Sequence, residues 1–371
     1  MSKKELAEIA VNLCNHTLLA KEQSELPDLS AKDWNKMLCF TSMQGVLTAI
    51  TPLFADVEVN DTQTRMTLVN WFATSLKTNK QYMLRISNMR GLAKLLADEG
   101  IDIMFMKGAS LAQLYPIPEW RAFSDIDYYL FGKSRQGIEV MKKHGIENSA
   151  YYHHHTQASL HGVLLENHYD FVERVNHDCD IILDDALKEL AEKEGRKYKA
   201  TFLGDDIHNA YIMTPTMNAI FLMRHMSAHF VGETIPLRQL YDWALFLQKQ
   251  AKDVDWKLVE KLYEQAGMSA FAGIVQQMLR THLDFYCEAC PIDLGSKELA
   301  EKVWNSIIFP PKRDPYKKFS MKYYLFEAKT FYNNRWKHKI VYPNESYTLL
   351  FFKYSWLGVK KMTGKLKMEN R

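Results

Sequence analysis

Cysteine is scarce in this sequence. Five cysteines in 371 residues cannot build a disulfide framework. Cys14, Cys39 and Cys179 are scattered, and Cys287 and Cys290 make a lone CxxC. A zinc site of that type needs a second pair, and His282 is the only extra ligand nearby, so reduced thiols in a helix end are expected. Long apolar runs are also missing. None approaches the ~18 residues of a membrane span, so no integral membrane segment is expected. The N-terminal stretch carries Glu5 and Glu8 where a signal peptide would be apolar, which makes a cytoplasmic location the expectation. Internal repeats and low-complexity segments are absent. Net charge is small, at +3.

What is present is globular in character. Hydrophobic residues make up 47% of the chain, enough for a sizeable core, and the length suits two or three domains of ~150 residues. The small net charge hides an asymmetry. Residues 311–371 hold 15 Lys and Arg against 4 Asp and Glu, a balance of +11; the other 310 residues hold 32 against 40, a balance of −8.

Periodicity divides the chain four ways. Residues 1–100 read as helices, at about 4–19, 32–53 and 62–98, with apolar stripes that mark a core. Residues 101–200 hold strands at 101–106, 123–131 and 163–172, with helices at 135–144 and 185–198. Residues 201–310 return to helices, the first opened by Thr214 as cap and Pro215 in the first turn. Residues 311–371 form a basic, aromatic tail that includes Tyr323, Tyr324, Phe331, Trp336, Tyr354 and Trp356. Such a tail suits single-stranded nucleic acid, a membrane surface, or helices packing back on an acidic body.

The chemistry concentrates between Met106 and Phe131, MKGASLAQLYPIPEWRAFSDIDYYLF. Lys107 and Gly108 interrupt an apolar strand and lead into a short helix. Gly108 lets backbone approach a ligand, Ser110 adds a hydroxyl and Lys107 a cation, a combination suited to phosphate. Asp125 and Asp127 then fall on one face of a second strand, roughly 7 Å apart at the backbone. Two carboxylates so placed can bind Mg²⁺, which assists phosphoryl transfer. Side by side they repel, so neutralising Asp127 is expected to leave the empty protein as stable as before or more so. On the next strand Glu166, His168 and Asp170 share a face, and Glu166 or Asp170 could supply a third carboxylate.

This ordered set resembles the polymerase-β-like nucleotidyltransferase superfamily, whose pattern is a strand, a Gly–Ser helix start and Asp-apolar-Asp on a second strand. It is most similar to a branch labelled simply as uncharacterised nucleotidyltransferases, with Lys-Gly before the helix, an Arg before the Asp pair and a later Glu-x-His. Here these are Lys107-Gly108, Arg121 and Glu166-Asn167-His168. Ala109 separates Gly108 from Ser110, a departure from the adjacent pair usual in the superfamily. The branch also has paired histidines where His225 and His229 stand, ahead of a helix like Leu237–Trp243, and similar N-terminal helices.

The resemblance implies an α+β nucleotidyltransferase fold, a small mixed sheet with helices on one side, embedded between helical regions. It implies transfer of a nucleoside monophosphate from an NTP to an acceptor, with Mg²⁺ held by Asp125, Asp127 and Glu166. Lys107, Gly108, Ser110 and Arg121 would contact the nucleotide. The acceptor, whether small molecule, protein or RNA, stays open, as do a binding protein without catalysis and RNA binding led by the tail. His225 and His229 are expected to shape core or substrate pocket. His153, His154 and His155, three in a row and so alternating in direction on an extended chain, are expected to be loop or surface residues.

Overall fold

The computed structural model describes residues 1–22, 29–57, 59, 61–151, 154–174, 177–310 and 320–353. His153, Tyr354 and Trp356 lie outside the described residues.

The N-terminal helices follow their capping signals. α1 (Lys3–Leu19) opens on a reciprocal box, the Ser2 hydroxyl accepting from the Glu5 amide and the Glu5 carboxylate from the Ser2 amide. α2 (Ala31–Gln44) is capped by Ser30 and stops at Gly45, whose φ of 69° is the left-handed conformation that ends helices. The single helix expected over 32–53 is therefore broken. α3 (Leu47–Ile50) and a short 3₁₀ turn at Thr51–Phe54 replace its second half. A side chain at 45 would also meet Arg238, 3.1 Å away. α4 (Thr62–Ala97) is capped by Asp61 and runs 36 residues.

The middle of the chain builds a seven-stranded sheet from β1 (Ile103–Met106), β2 (Asp125–Tyr129), β3 (Asn148–Tyr151), β4 (His155–Leu160), β5 (Val163–His168), β6 (Tyr198–Lys199) and β7 (Ala210–Ile212). Its order is β3-β4-β5-β2-β1-β7-β6. β2 is central, antiparallel to β1 and parallel to β5. α5 (Gly108–Ala112), α6 (Ser134–Lys143) and α7 (Asp178–Glu194) connect the strands.

Alternation assigns the two faces. Phe105, Ile126, Tyr128 and Leu165 point to one side and pack with Leu92 and Leu96 of α4 and Met141 of α6. Met104, Met106 and Tyr129 point to the other and join a cluster with Leu183 and Leu187 of α7 and Met217 and Phe221 of α8 (Pro215–Gly232). Helices therefore cover both faces, not one as expected. A sheet with apolar side chains on both faces has to bury both.

The remaining helices are α9 (Leu237–Gln250), α10 (Trp256–Gln265), α11 (Ser269–His282), α12 (Lys297–Ile308), α13 (Met321–Asn333) and α14 (Arg335–Val341). Thr214 caps α8 through the Met217 amide, with Pro215 in its first turn. α14 buries Ile340 and Val341 against the C-terminal bundle, whereas α13 has no buried residue. The tail thus splits between a packed segment and an exposed one. Cys287 and Cys290 lie in the loop after α11, not at a helix end, and their thiols are free. No helix among the described residues is long and apolar enough to cross a membrane.

Candidate active site

Strand register assembles a polar row on one face of the sheet. Asp127 of β2 lies directly beside Glu166 of β5, and Gln157 of β4 lies on Glu166's other flank. His168, two residues on from Glu166, faces the same way and pairs in register with His155. The opposite side of these strands is apolar, and burial of Ile126 and Leu165 there fixes which way the carboxylates point.

The contacts are short. Oδ1 of Asp127 lies 3.1 Å from Nζ of Lys107 and 3.0 Å from Nε2 of His168. Glu166 accepts a hydrogen bond from Nε2 of Gln157 at 2.9 Å, and its carboxylate lies 3.5 Å from His155 and 3.8 Å from His168. Donor atoms of Asp127, Glu166 and His168 fall within 4.8 Å of one another. Asp125 shares the face, is half-buried, accepts from the Ser124 hydroxyl at 3.3 Å, and stands outside that group.

Electrostatics separate the two buried carboxylates. Burial by itself would raise the pKa of Asp127, but the Lys107 ammonium and the His168 hydrogen bond outweigh it and hold the group far below the usual range. Glu166 moves the other way, raised by burial and by the charge of Asp127. The expectation that neutralising Asp127 is harmless in the empty protein is overturned: Asp127 is bound to a cation and an imidazole, so its charge is compensated.

Lys107 holds its place through an unusual backbone. Its φ is 46°, rare for a side-chain-bearing residue, and Gly108 follows at 37°. A Cβ on Gly108 would meet the Phe123 ring at 3.2 Å. Arg121 supports this turn from behind. Its Nη1 donates to the Gly108 carbonyl at 2.9 Å, and Nε and Nη2 grip both oxygens of Asp242 in α9 at 2.7 and 2.9 Å. These buried bonds give Arg121 a positioning role, and it also lines the cavity of about 930 Å³ described below. The Ser110 hydroxyl, the expected phosphate contact, donates to the Phe105 carbonyl at 3.2 Å and lines neither cavity described below.

Asp170, the other candidate for a third carboxylate, is engaged elsewhere. β5 ends at His168, and the amides of Tyr169 and Asp170 turn to the His154 carbonyl. Asp170 then pairs with Lys188 of α7, away from Asp127. His154 and His155 are also not surface residues. His155 is buried in β4, and His154 lies against it with its pKa lowered to about 2 by burial and by His168 and His155.

Two cavities meet at this row. One, of about 930 Å³, is lined by Gly108, Ser124, Asp127 and Arg238. The other, of about 1150 Å³, is lined by His154, Glu166, His168 and aromatics including Phe171, Phe221 and Tyr324. Lys107, Asp125, His225 and His229 line both. Burial and the Lys107 charge lower the pKa of both His225 and His229, so they stand as neutral imidazoles at the junction, a pocket-shaping position as expected. Gln157 and Asp242 carried no signal in the sequence, because only strand register and a 121-residue chain separation bring them to the site.

A family described as "Uncharacterised nucleotidyltransferase" matches residues 30–284, a span that contains every residue of this polar row. No curated protein and no solved structure matches the chain.

Proposed function

The chain belongs to the uncharacterised nucleotidyltransferase family, and from that premise we propose that it moves a nucleoside monophosphate from an NTP to an acceptor hydroxyl, with release of pyrophosphate and dependence on Mg²⁺. The observation that carries this reading is the side-by-side placement of Asp127 and Glu166 on parallel strands, next to Lys107. A protein that merely binds nucleotide has no need of a third carboxylate turned toward the Asp pair.

The donor set fits a hard divalent cation. Asp125, Asp127 and Glu166 supply carboxylate oxygens, the ligand type Mg²⁺ prefers. When bound, Mg²⁺ neutralises charge on the triphosphate and on the attacking and leaving oxygens. Lys107 balances Asp127; with a cation beside Asp127, its ammonium would be free to contact the phosphates. Gly108 brings backbone close to them, with Arg121 fixing that turn and Ser110 tying it to β1. The 930 Å³ cavity takes the nucleotide, and the larger aromatic one takes the acceptor. Glu166 faces the acceptor side with an elevated proton affinity, and so suits removal of the hydroxyl proton. Gln157 keeps it in place.

Thermal denaturation with a non-hydrolysable analogue of each NTP tests the nucleotide half of this reading. Wild type gains stability only when Mg²⁺ and analogue are present together, by mass action, and Asp127→Asn gains little. Equal stabilisation of wild type and variant would remove Asp127 from the metal site.

A further inference from the structure

The three imidazoles beside Glu166 converge in a way that their order in the chain conceals. His155 and His168 are partners in register on adjacent strands and so share a face. His154 precedes β4, escapes strand alternation, and folds its ring to the same side. Ring centroids are 4.5 Å apart for His154 and His155, and 5.2 Å from each of these to His168. One nitrogen from each of the three lies within 4.8 Å of the others. Nδ1 of His154 is buried and has no hydrogen-bond partner among the described residues, a costly state for a polar atom with no role.

His168 is oriented in the manner of a metal ligand. Its Nδ1 lies 3.3 Å from the Asp170 carbonyl, a partner for an Nδ1–H, and its Nε2 is turned to the carboxylates. Ligating histidines commonly donate their other ring N–H to a backbone carbonyl in this way. The Glu166 carboxylate, 3.5 Å from His155 and 3.8 Å from His168, adds an oxygen donor.

We infer that His154, His155 and His168 form a site for one transition-metal dication of the Zn²⁺, Mn²⁺ or Fe²⁺ class, adjacent to the Mg²⁺ site, with Glu166 as the oxygen donor common to both. Imidazole nitrogens suit those ions, whereas Mg²⁺ takes oxygen ligands. Bonds of about 2.0–2.1 Å to a shared ion require the rings to close in slightly from their present spacing. Among the described residues the other such cluster, Asp127, Glu166 and His168, shares His168 but is led by carboxylates; His225 and His229 are two imidazoles without a third ligand in reach, and the CxxC offers two thiols. His154, Glu166 and His168 line the larger cavity but not the smaller, so the ion faces the acceptor chamber and favours an acceptor with an oxygen or nitrogen donor. That last point rests on the transfer reading; the metal site itself does not.

The test is a Co²⁺ titration of tag-free, chelator-treated, full-length protein in millimolar Mg²⁺, followed by visible absorbance and by metal analysis after desalting. One equivalent of Co²⁺ binds, Zn²⁺ displaces it, and His154→Ala and His155→Ala each weaken binding at least about tenfold. His154→Ala, at the half-buried position, guards against loss of fold, which melting curves report. Asp127→Asn keeps Co²⁺ binding while losing stabilisation by Mg²⁺ and nucleotide, so the two readings can fail separately. Wild-type binding no tighter than that of the folded His154→Ala variant, or binding lost instead in His225→Ala or His229→Ala, overturns the site.

Discussion

Nζ of Lys107 stands 3.1 Å from the same oxygen of Asp127 that lies 3.0 Å from Nε2 of His168. The polar row is thus held together by the carboxylate that the proposed reaction uses to hold a cation. Removing that charge leaves a largely buried ammonium without its partner. Asp127→Asn should therefore destabilise the metal-free protein, by about 2–4 kcal/mol. The folded-state pKa of Asp127 is depressed, so its stabilisation is complete above the unfolded carboxylate value near 3.9 and is lost only as pH falls toward the much lower folded value. Melting curves should show the gap between wild type and variant at its full size near neutral pH and closing in acid.

Glu166 should behave oppositely. Its folded-state pKa is raised, so the ionised form costs stability at neutral pH, and that cost disappears as pH falls below the folded value. Glu166→Gln should melt at or slightly above the wild-type temperature at neutral pH, within about 1 kcal/mol, while transfer falls by about 10²-fold or more. Asp170, also raised by burial, faces Lys188 outside the site, and Asp170→Asn should keep both stability and transfer nearly unchanged. Activity lost in Asp170→Asn and kept in Glu166→Gln would exchange their roles.

Arg121 and Asp242 form a buried bidentate pair. Arg121→Ala leaves the buried Asp242 carboxylate with only the Tyr115 hydroxyl at 2.8 Å and Arg238 at 3.7 Å, and should cost about 3 kcal/mol. Replacing both partners with apolar residues, Arg121→Met with Asp242→Leu, should cost less than the sum of the single changes. Additive losses in that cycle would mean the pair does not act as a unit.

Much of this was readable from local pattern. The Asp125–Asp127 alternation and the Thr214–Pro215 start are each settled within a few residues, and the strand and the helix follow them. Gly45 carried a helix-stop signal, but the apolar residues on both sides of it masked the break. Long-range partners escaped. Arg121 meets Asp242, and His155 meets His168, only once strand register and helix docking are fixed, and no local periodicity encodes either. The tail's composition was visible, yet not its division into α14, which buries residues in the core, and α13, which buries none.

That division is testable through Tyr342. It is buried, stacks on His177 at 3.6 Å, and accepts from Arg224 at 2.9 Å. Tyr342→Ala should cost about 3–5 kcal/mol, whereas Leu325→Ala on α13, 64% exposed, should cost almost nothing. Chemical denaturation of both variants makes the comparison. Equal and small effects would mean that α14 does not contribute to the core.

The central claim, nucleotidyl transfer through Asp127 and Glu166, is tested most directly by the position of the label. Protein, Mg²⁺ and a cell extract are incubated with each NTP labelled at either the α- or the γ-phosphate, and labelled macromolecules and metabolites are separated. The account predicts α-label joined to a new product, no γ-label in it, pyrophosphate released in equal amount, and all three lost in Asp127→Asn. Transfer of γ-label, or α-label transfer that survives in Asp127→Asn, would contradict it.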